Sequence, residues 1–524
     1  MIATSQALAS AAGLRVLQVG GNAVDAAVTA AAVLAVIEPS MNGIGGDLFA
    51  IVYDAATARV HGLDASGRSP AAATPEAFAA RGLTEMPATG PLSVDVPGVV
   101  SGWDALLTRF GTITLHEALA PAIGYARDGF PVAELMAHEW RDAVPRLSAD
   151  AAAMATFLPT RVPPAMGEIF ANPRLATTLG LIATGGPDAF YRGPIAAAIA
   201  ADMRTRDGLL TADDLAAHTV DWVDTISVDY RGYDVHELPP STQGFVALEM
   251  LNILEGFDIA ALGHNSADYL HVVAEAKKIA FADRGAYLAD RRYVPALTLA
   301  TLLSKDYAAA RRSEIDLRAA GTYRAGVMPG GAGPAPDFAG RDRGDTVYLT
   351  VADRHGNVVS FIQSLFASFG AGIAAGDTGV VLSNRGSGFV LTPGHPNQVA
   401  PRKRPLHTLV PALVMKAGRP WLSFGVMGGD NQAQAHAQVV MNVVDFGLHV
   451  QAAGDAARMR HMDPQLALES GIGAEVRASL EARGHTLRDG RGQMGGYQGI
   501  MIDRSTGVLL GGSDPRKDGL AIGW

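Results

Sequence analysis

The residues best suited to covalent chemistry lie at Gly344-Asp345-Thr346, where a threonine opens an apolar strand directly behind a segment rich in proline and glycine. The chain of 524 residues contains no cysteine, so a covalent mechanism has to use serine, threonine, lysine or a carboxylate as its nucleophile. Threonine is also β-branched and favours strands, and by itself Thr346 is more simply interpreted as the start of a strand. Other groups must decide between the two interpretations.

Two further features would complete a nucleophilic site. Ser364 stands on the return strand of a predicted hairpin, close to the point that faces the start of the first strand. Gly428-Gly429 precedes an amphipathic helix of about residues 433–444, and glycine amides at a helix N-terminus can hold an oxyanion. Asp430 supports a competing interpretation, because an aspartate at this position can simply cap the helix.

Composition and motifs exclude several other classes. Asp plus Glu (52) exceed Lys plus Arg (42), and the net charge of −10 argues against nucleic acid as the main partner. The apolar run of residues 26–37 is too short to span a bilayer, and no basic and apolar leader opens the chain, so a cytoplasmic protein without membrane contact is expected. His116-Glu117 and His138-Glu139 lack the second histidine of an H-E-x-x-H site, so neither a metal nor another cofactor is predicted.

The elements that must position these groups follow from hydrophobic periodicity and turn residues. A glycine-rich turn, residues 42–47, can either line a site or allow close backbone packing. Residues 325–345 read as a flexible linker, after which the pattern changes to strands. The prediction is α/β throughout, with segments 1–345 and 346–524. The predicted elements are helices at about 5–19, 26–37 and 269–288, a strand at 48–53, and a hairpin of strands 347–351 and 358–361.

Motifs spread over nearly the whole chain resemble the γ-glutamyltranspeptidase family of N-terminal-nucleophile hydrolases. Examples are GGNAVDAA at residues 20–27 and RKRPL at residues 402–406. The remaining blocks, in family order, are residues 42–47, 230–233 with 239–244, 274–278 with 282–284, 353–357, 369–372 and 428–429. Several independent blocks in the right order make the resemblance specific.

The resemblance implies a fold and a maturation route. The fold is a four-layer αββα sandwich, built from two subunits after the chain cuts itself between Asp345 and Thr346. The large subunit would be residues 1–345, ending in the linker 325–345, and the small subunit residues 346–524. The freed α-amine of Thr346 would act as base for its own hydroxyl. Gly428 and Gly429 would hold the oxyanion, and Ser364 would replace a second threonine that orients the nucleophile.

Departures from the family pattern concern recognition of the acyl group. The position of an asparagine is taken by Phe366, that of an aspartate by Gly388, and that of a serine pair by His407-Thr408. The usual arginine falls on Pro75, although Arg68 stands nearby. Without the acidic group that attracts a substrate ammonium, binding of free-amine γ-glutamyl compounds would lose about 2–5 kcal/mol.

Arg385 is therefore predicted to bind the carboxylate of a small acid without an α-amine, with Arg68 as a second candidate. The alternative for Arg385 is a structural ion pair. The predicted activity is cleavage of a small acid amide through an acyl-enzyme on Thr346, with an oxamate-like substrate favoured and water or an amine as acceptor. A glutathione hydrolase or γ-glutamyltransferase with altered recognition, and a non-catalytic binder of small acids, stay open. The two subunits are expected to associate, and a dimer of such units is left open.

Overall fold

The computed structural model describes residues 1–328, 345–492 and 494–524. Most of the predicted linker, residues 329–344, lies outside the described residues. Numbered in chain order, the described strands are β1 (Ile2–Thr4), β2 (Asp47–Asp54), β3 (Arg59–Ala65), β4 (Phe130–Pro131), β5 (Ile169–Phe170), β6 (Asp221–Val223), β7 (Ile226–Tyr230), β8 (Tyr233–Glu237), β9 (Asp345–Ala352), β10 (Val358–Phe366), β11 (Ala412–Lys416), β12 (Arg419–Met427), β13 (Met459–Met462), β14 (Gln465–Leu468), β15 (Thr486–Asp489), β16 (Gly496–Ile502), β17 (Leu509–Ser513) and β18 (Leu520–Ile522).

The described helices fill the connections between the strands. They are α1 (Ala7–Gln18), α2 (Ala23–Ile37), α3 (Pro75–Ala79), α4 (Val99–Phe110), α5 (Leu115–Asp128), α6 (Glu134–Asp142), α7 (Val144–Ser148), α8 (Ala151–Phe157), α9 (Pro173–Tyr191), α10 (Pro194–Thr205), α11 (Ala212–Ala216), α12 (Gly244–Leu254), α13 (Ile259–Leu262), α14 (Ala267–Tyr287), α15 (Ala296–Leu302), α16 (Lys305–Arg312), α17 (Asn431–Val444), α18 (Val450–Asp455) and α19 (Ala474–Ala482). None of them is long and apolar enough to cross a bilayer.

Two sheets stack face to face in the centre of the molecule. The first has the strand order β18-β1-β9-β10-β2-β3-β6, and the second has the order β17-β16-β12-β11-β8-β7. Side chains from both sheets meet between them in a common apolar core that includes Phe49, Tyr348, Ile362 and Leu413. The first sheet contains strands from both sides of the predicted cut. From the N-terminal side, β1 lies between β18 and β9, and β2 pairs with β10.

Helices cover the outer face of each sheet. The helix α2 is buried along its whole length, and it packs with α1, α4, α5 and α9 on the outward side chains of the first sheet. The helices α12, α14 and α17 cover the second sheet in the same way. Four layers in the order helix, sheet, sheet, helix confirm the predicted αββα sandwich.

Local sequence signals shape the elements around the candidate site. Asn22 and Asp25 form a reciprocal capping box at the start of α2. The strands β9 and β10 form the predicted antiparallel hairpin, with Asp353 accepting backbone hydrogen bonds in its turn. The glycine turn before β2 packs tightly, since a Cβ on Gly46 would lie 2.2 Å from the carbonyl oxygen of Ser364. Gly46 therefore packs directly against the residue predicted to orient the nucleophile.

Candidate active site

Thr346 lies at the start of β9, buried between the two sheets. Its Oγ1 donates to Ser364 Oγ at 3.3 Å, and Ser364 Oγ donates to the carbonyl oxygen of Asp345 at 2.5 Å. The backbone N–H of Phe366 donates to the same Ser364 oxygen at 2.7 Å. One hydroxyl thus contacts both the predicted nucleophile and the carbonyl of the peptide bond that the nucleophile would attack.

A break in the β10 register creates this arrangement. The pairing of β10 with β9 shifts between Gln363 and Phe366, so that Phe366 rather than the residue before it lies opposite Asp345. Phe366 adopts a positive φ of 77°, a conformation that costs a bulky residue roughly 1–2 kcal/mol. The strain brings the Phe366 amide onto Ser364 and its ring over the Arg385 guanidinium, 4.1 Å from Cζ to the ring centroid.

Three neighbouring strands align a row of polar side chains on the inner face of the first sheet. Alternation along the strands puts Thr346, Ser364 and Asp47 on the same side as the core residues Tyr348, Ile362 and Phe49. Asp47 is the direct cross-strand partner of Ser364. Since adjacent strands lie about 4.8 Å apart, Asp47 stands roughly 10 Å from Thr346, measured between their backbones.

The Gly428-Gly429 turn follows β12 in the opposing sheet. Contacts between β12 and β9 fix their relative position: a Cβ on Gly425 would lie 2.4 Å from Tyr348 Cε2, and Thr350 Oγ1 lies 2.6 Å from Ser423 Oγ. The strands therefore run in opposite directions across the gap between the sheets, and extending the pairs by one step brings Thr346 opposite Met427, next to the turn.

Both glycines adopt positive φ angles of 124° and 58°, which only glycine tolerates without strain. Their carbonyls accept the first backbone amides of α17, from Asn431 and Gln432. Asp430 makes no side-chain capping bond. Instead it pairs with Arg284 at 2.5 Å, so the competing interpretation of Asp430 as a side-chain helix cap does not hold. Burial opposes ionisation, but the charge of Arg284 holds the pKa of Asp430 below its usual value.

Arg385 is completely buried beside this row. Its Nε lies 3.4 Å from Asp47 Oδ2, and its Nη1 donates to Thr408 Oγ1 at 3.3 Å. The Nε and Nη2 atoms make no hydrogen bond within the described residues. His407 is buried next to Thr408 with its ring 4.9 Å from that of Phe49, and neither ring nitrogen has a hydrogen-bond partner in the same part of the chain. Burial, followed by the charges of Arg385 and Arg404, lowers the pKa of His407 well below its usual value, so the imidazole is neutral.

Arg68 occupies a different set of contacts. It pairs with Asp221 at 3.0 Å and approaches Asp290 at 3.8 Å. Arg404 and Arg291 also pair with Asp221. Arg68 was predicted as a second candidate to bind the carboxylate beside Arg385, but these ion pairs direct its side chain toward a separate, partly exposed network.

Two carboxylates near Arg385, those of Asp47 and Asp95, were not predicted as site residues from the sequence. Asp47 accepts the Gly67 N–H at 2.7 Å through Oδ1, and Asp95 is buried so close to Gly67 that a Cβ there would lie 3.0 Å from Asp95 Oδ2. Neither Asp95 oxygen has a hydrogen-bond partner in the described chain. Asp47 ends the glycine-rich turn of residues 42–47, for which the sequence left open a site-lining role, whereas Asp95 lies outside the family motifs.

One group elsewhere has the composition of a metal site. Ligand atoms of His271, Glu275 and His485 lie within 4.8 Å of one another and are buried. Sequence spacing could not reveal this group, because it joins α14 to a residue far along the chain. Its members already bind protein groups: His271 Nδ1 faces His485 Nε2 at 2.8 Å, and Glu275 accepts from Lys278 and Tyr323. The geometry is that of a satisfied hydrogen-bond cluster.

Comparison with known proteins agrees with this fold. The family model described as Gamma-glutamyltranspeptidase matches residues 9–524. The glutathione hydrolase-like YwrD proenzyme of Bacillus subtilis is 38% identical, over 100% of this chain and 98% of its own length. The oxamate amidohydrolase proenzyme of Klebsiella pneumoniae is 34% identical, over 99% of this chain and 97% of its own length. The crystal structure of cephalosporin acylase from Bacillus halodurans superposes with a TM-score of 0.93 at 41% identity, covering 100% of this chain and 95% of that one.

The chain therefore belongs to the γ-glutamyltranspeptidase family, and the predicted resemblance is confirmed. Its relatives are hydrolase and acylase proenzymes, which makes it an enzyme of the amidohydrolase and acylase type that is produced as a precursor.

Proposed function

We propose that the precursor cuts itself between Asp345 and Thr346, leaving a large subunit of residues 1–345 and a small subunit of residues 346–524. The Thr346 hydroxyl attacks the Asp345 carbonyl carbon, the C–N bond breaks, and the hydroxyl proton passes to the departing amine. Water then hydrolyses the resulting ester. The contact that carries the proposal is the hydrogen bond from Ser364 to the Asp345 carbonyl oxygen, because this donor faces the oxygen on which negative charge develops. The two subunits would stay together because both contribute strands to the first sheet.

In the mature enzyme the same groups would process an external amide. The free α-amine of Thr346 accepts the proton of its own hydroxyl, which attacks the substrate carbonyl and forms an acyl-enzyme. The Gly428 and Gly429 amides, at the end of the opposing strand, would stabilise the oxyanion, a role worth roughly 3–4 kcal/mol per donor. Water, or an amine acceptor, then takes the acyl group and regenerates Thr346.

The acyl group is proposed to carry a carboxylate and no α-amine, with oxamate-like amides favoured. Arg385 pairs with Asp47, which lies on the same face of the first sheet as Thr346 and Ser364. The Phe366 ring covers the guanidinium and leaves no polar group of its own for an ammonium. Asp47 is already engaged by Arg385 and by Gly67, and His407 is neutral, so these residues offer no uncompensated negative charge to an α-amine.

The decisive experiment for the nucleophile uses Thr346→Ala with Thr350→Ala as its matched control, since Thr350 is buried on the same face of the same strand. We expect wild type and Thr350→Ala to yield two fragments by denaturing mass spectrometry, the smaller starting at Thr346. Thr346→Ala should stay whole and lose amidase activity at least 1000-fold, about 4 kcal/mol in transition-state free energy. Cleavage at another bond, or retained activity in Thr346→Ala, would refute the assignment.

A substrate panel separates the remaining alternatives. Oxamate should be hydrolysed faster than a γ-glutamyl anilide, because the pocket offers Arg385 to the carboxylate but no free acidic group to the α-amine. Faster turnover of the anilide would instead indicate a glutathione hydrolase or γ-glutamyltransferase with altered recognition. Tight binding of small acids by wild type and Thr346→Ala, without turnover of any amide, would indicate a non-catalytic relative.

A further inference from the structure

Arg385, the proposed binding group for the substrate carboxylate, already has Asp47 as its counter-ion. Both side chains are buried, and among the described residues Asp47 Oδ2 has no polar contact other than its approach to Arg385. A substrate carboxylate that binds Arg385 must therefore share or replace Asp47. In a buried site, two carboxylates against one guanidinium leave one negative charge uncompensated, which is strongly unfavourable.

Asp95 supplies a second carboxyl group in the same place. It abuts Gly67, the residue whose N–H binds Asp47, and the charges of Asp47 and Arg385 both act on it. Burial, followed by the negative charge of Asp47, raises the pKa of Asp95 well above its usual range. Burial also raises the pKa of Asp47, although Arg385 and the Gly67 amide oppose this. Arg385 stays charged, so the pocket is near neutral with one carboxylate and one carboxylic acid.

We propose that Asp47 and Asp95 form a counter-ion pair that couples binding of a carboxylate-bearing acyl group to the uptake of one proton. The incoming carboxylate takes the place of Asp47 on Arg385, and the displaced Asp47 carboxylate accepts a proton from solvent. The pocket then again holds one anion for one guanidinium. This inference rests on the proposed function, since it concerns how that carboxylate is bound. Asp47 and Asp95 are positioning residues here, because they act through Arg385.

Other groups around the pair are either neutral or already paired. The titratable and charged groups that face it from the surrounding elements are Asp64, Tyr191, Arg404, His407 and Asp430. Burial lowers the pKa of His407 and raises that of Tyr191, so both are neutral around pH 7. The carboxylates of Asp64 and Asp430 are paired with Arg404 and Arg284. Asp47 is distinguished because its cross-strand neighbour is Ser364 and its ion partner is Arg385.

The test compares two chromogenic anilides of equal size, the monoanilide of a small dicarboxylic acid and its uncharged methyl ester. The measured quantity is the ratio of kcat/KM for the anionic to the neutral anilide between pH 5 and pH 8. Titration of the Thr346 α-amine affects both substrates equally and cancels in this ratio. In wild type, uptake of one proton predicts a ratio that falls up to tenfold per pH unit above the titration of the pair.

Asp47→Asn keeps an acceptor for the Gly67 N–H but removes the charge. We expect this variant to raise the ratio at pH 8 at least tenfold and to flatten its pH dependence, mainly through KM for the anionic anilide. Asp95→Asn should change the ratio much less, because Asp95 already carries its proton and the substitution removes no negative charge. The matched control is Asp445→Asn, which removes another buried carboxylate paired with an arginine, Arg231, at the far end of α17, about 20 Å from the Gly428-Gly429 turn. Its ratio should follow wild type.

The outcomes separate the inference from the proposed function. A wild-type ratio that does not change with pH, or an Asp47→Asn ratio equal to that of wild type, overturns the counter-ion inference. Preference for the neutral anilide at every pH, with a ratio that still falls with pH and rises in Asp47→Asn, supports the counter-ion pair and overturns the proposed carboxylate preference. The wild-type profile alone decides the matter if either variant fails to fold.

Discussion

Arg385 and Arg458 are both fully buried, and each pairs with an aspartate. The two pairs differ in how many of their polar atoms have a hydrogen-bond partner. Arg458 pairs with Asp514 at 2.7 Å and also donates to the carbonyls of Met494 and Gly454. Asp514 in turn accepts the Tyr497 N–H and an Arg516 donor. Arg385 pairs with Asp47 at a longer 3.4 Å and leaves two nitrogens without a hydrogen bond in the described chain.

This difference distinguishes a structural ion pair from one whose unpaired polar atoms are available to a ligand. A buried charged group stabilises a fold only when each of its polar atoms has a partner, and the Arg458 group meets that condition. The Arg385 group does not, and it lies along the strand row that carries Thr346 and Ser364. These unpaired polar atoms support the proposal that the Arg385 pocket binds the acyl group.

The largest expected effect on stability comes from breaking the ion pair between Arg458 and Asp514. Arg458→Met should lower the free energy of unfolding by about 3–5 kcal/mol, because it leaves Asp514 buried without its main counter-charge. Urea unfolding in a Thr346→Ala background keeps the chain whole and provides the measurement. A loss below about 1 kcal/mol would show that the Arg458 group is not structural and would remove the contrast.

Arg385→Met should act mainly on catalysis. We expect kcat/KM for a carboxylate-bearing amide to fall by the equivalent of about 2–5 kcal/mol. The free energy of unfolding should fall less than in Arg458→Met, because burial raises the pKa of Asp47 and this carboxylate can take up a proton when its counter-charge is removed. Enzyme kinetics and urea unfolding on the same preparation test both parts. Full activity combined with strong destabilisation would make Arg385 a second structural ion pair, which is the alternative that the sequence left open.

A smaller effect concerns the pH dependence of stability. A carboxyl whose pKa is raised by folding holds its proton more tightly in the folded state. The contribution of Asp47, with a pKa raised to about 6 by burial, is thus fully present below the unfolded value of about 3.9 and is lost as the pH rises through about 6. Asp47→Asn should gain up to about 2 kcal/mol relative to wild type between pH 4 and pH 7.5.

The contribution of Asp514 to stability depends on pH in the opposite direction. The charges of Arg458 and Arg516 outweigh burial and lower the pKa of Asp514, so its contribution is present above the unfolded value and is lost only as the pH falls through the lower folded value. Asp514→Asn should therefore be destabilised by a constant amount between pH 5 and pH 7.5. Urea titrations at several pH values distinguish the two slopes, and parallel curves for the two variants would contradict the assignment.

Local elements of this protein were predictable because their causes lie within short stretches of sequence. Asn22 followed by Asp25 specifies a capping box, and the Asp353 turn specifies the hairpin that brings Ser364 back to Thr346. The strained Phe366 and the bulge before it were not predictable, because the hairpin pattern alone favours a regular register. The ion pair between Asp430 and Arg284 was not predictable either, because Arg284 comes from another helix.

The sequence by itself determined the family, the layered α/β fold and the candidate nucleophile, since periodic apolar positions, turn residues and motif order are properties of the chain read in one dimension. Only the tertiary structure decided what surrounds Arg385. Asp47, Asp95 and Arg385 come from three distant segments, and the order of strands in one sheet together with the packing of a loop on Gly67 brings them together. Whether a buried charge is satisfied depends on all of its neighbours at once, and spacing along a sequence does not encode that sum.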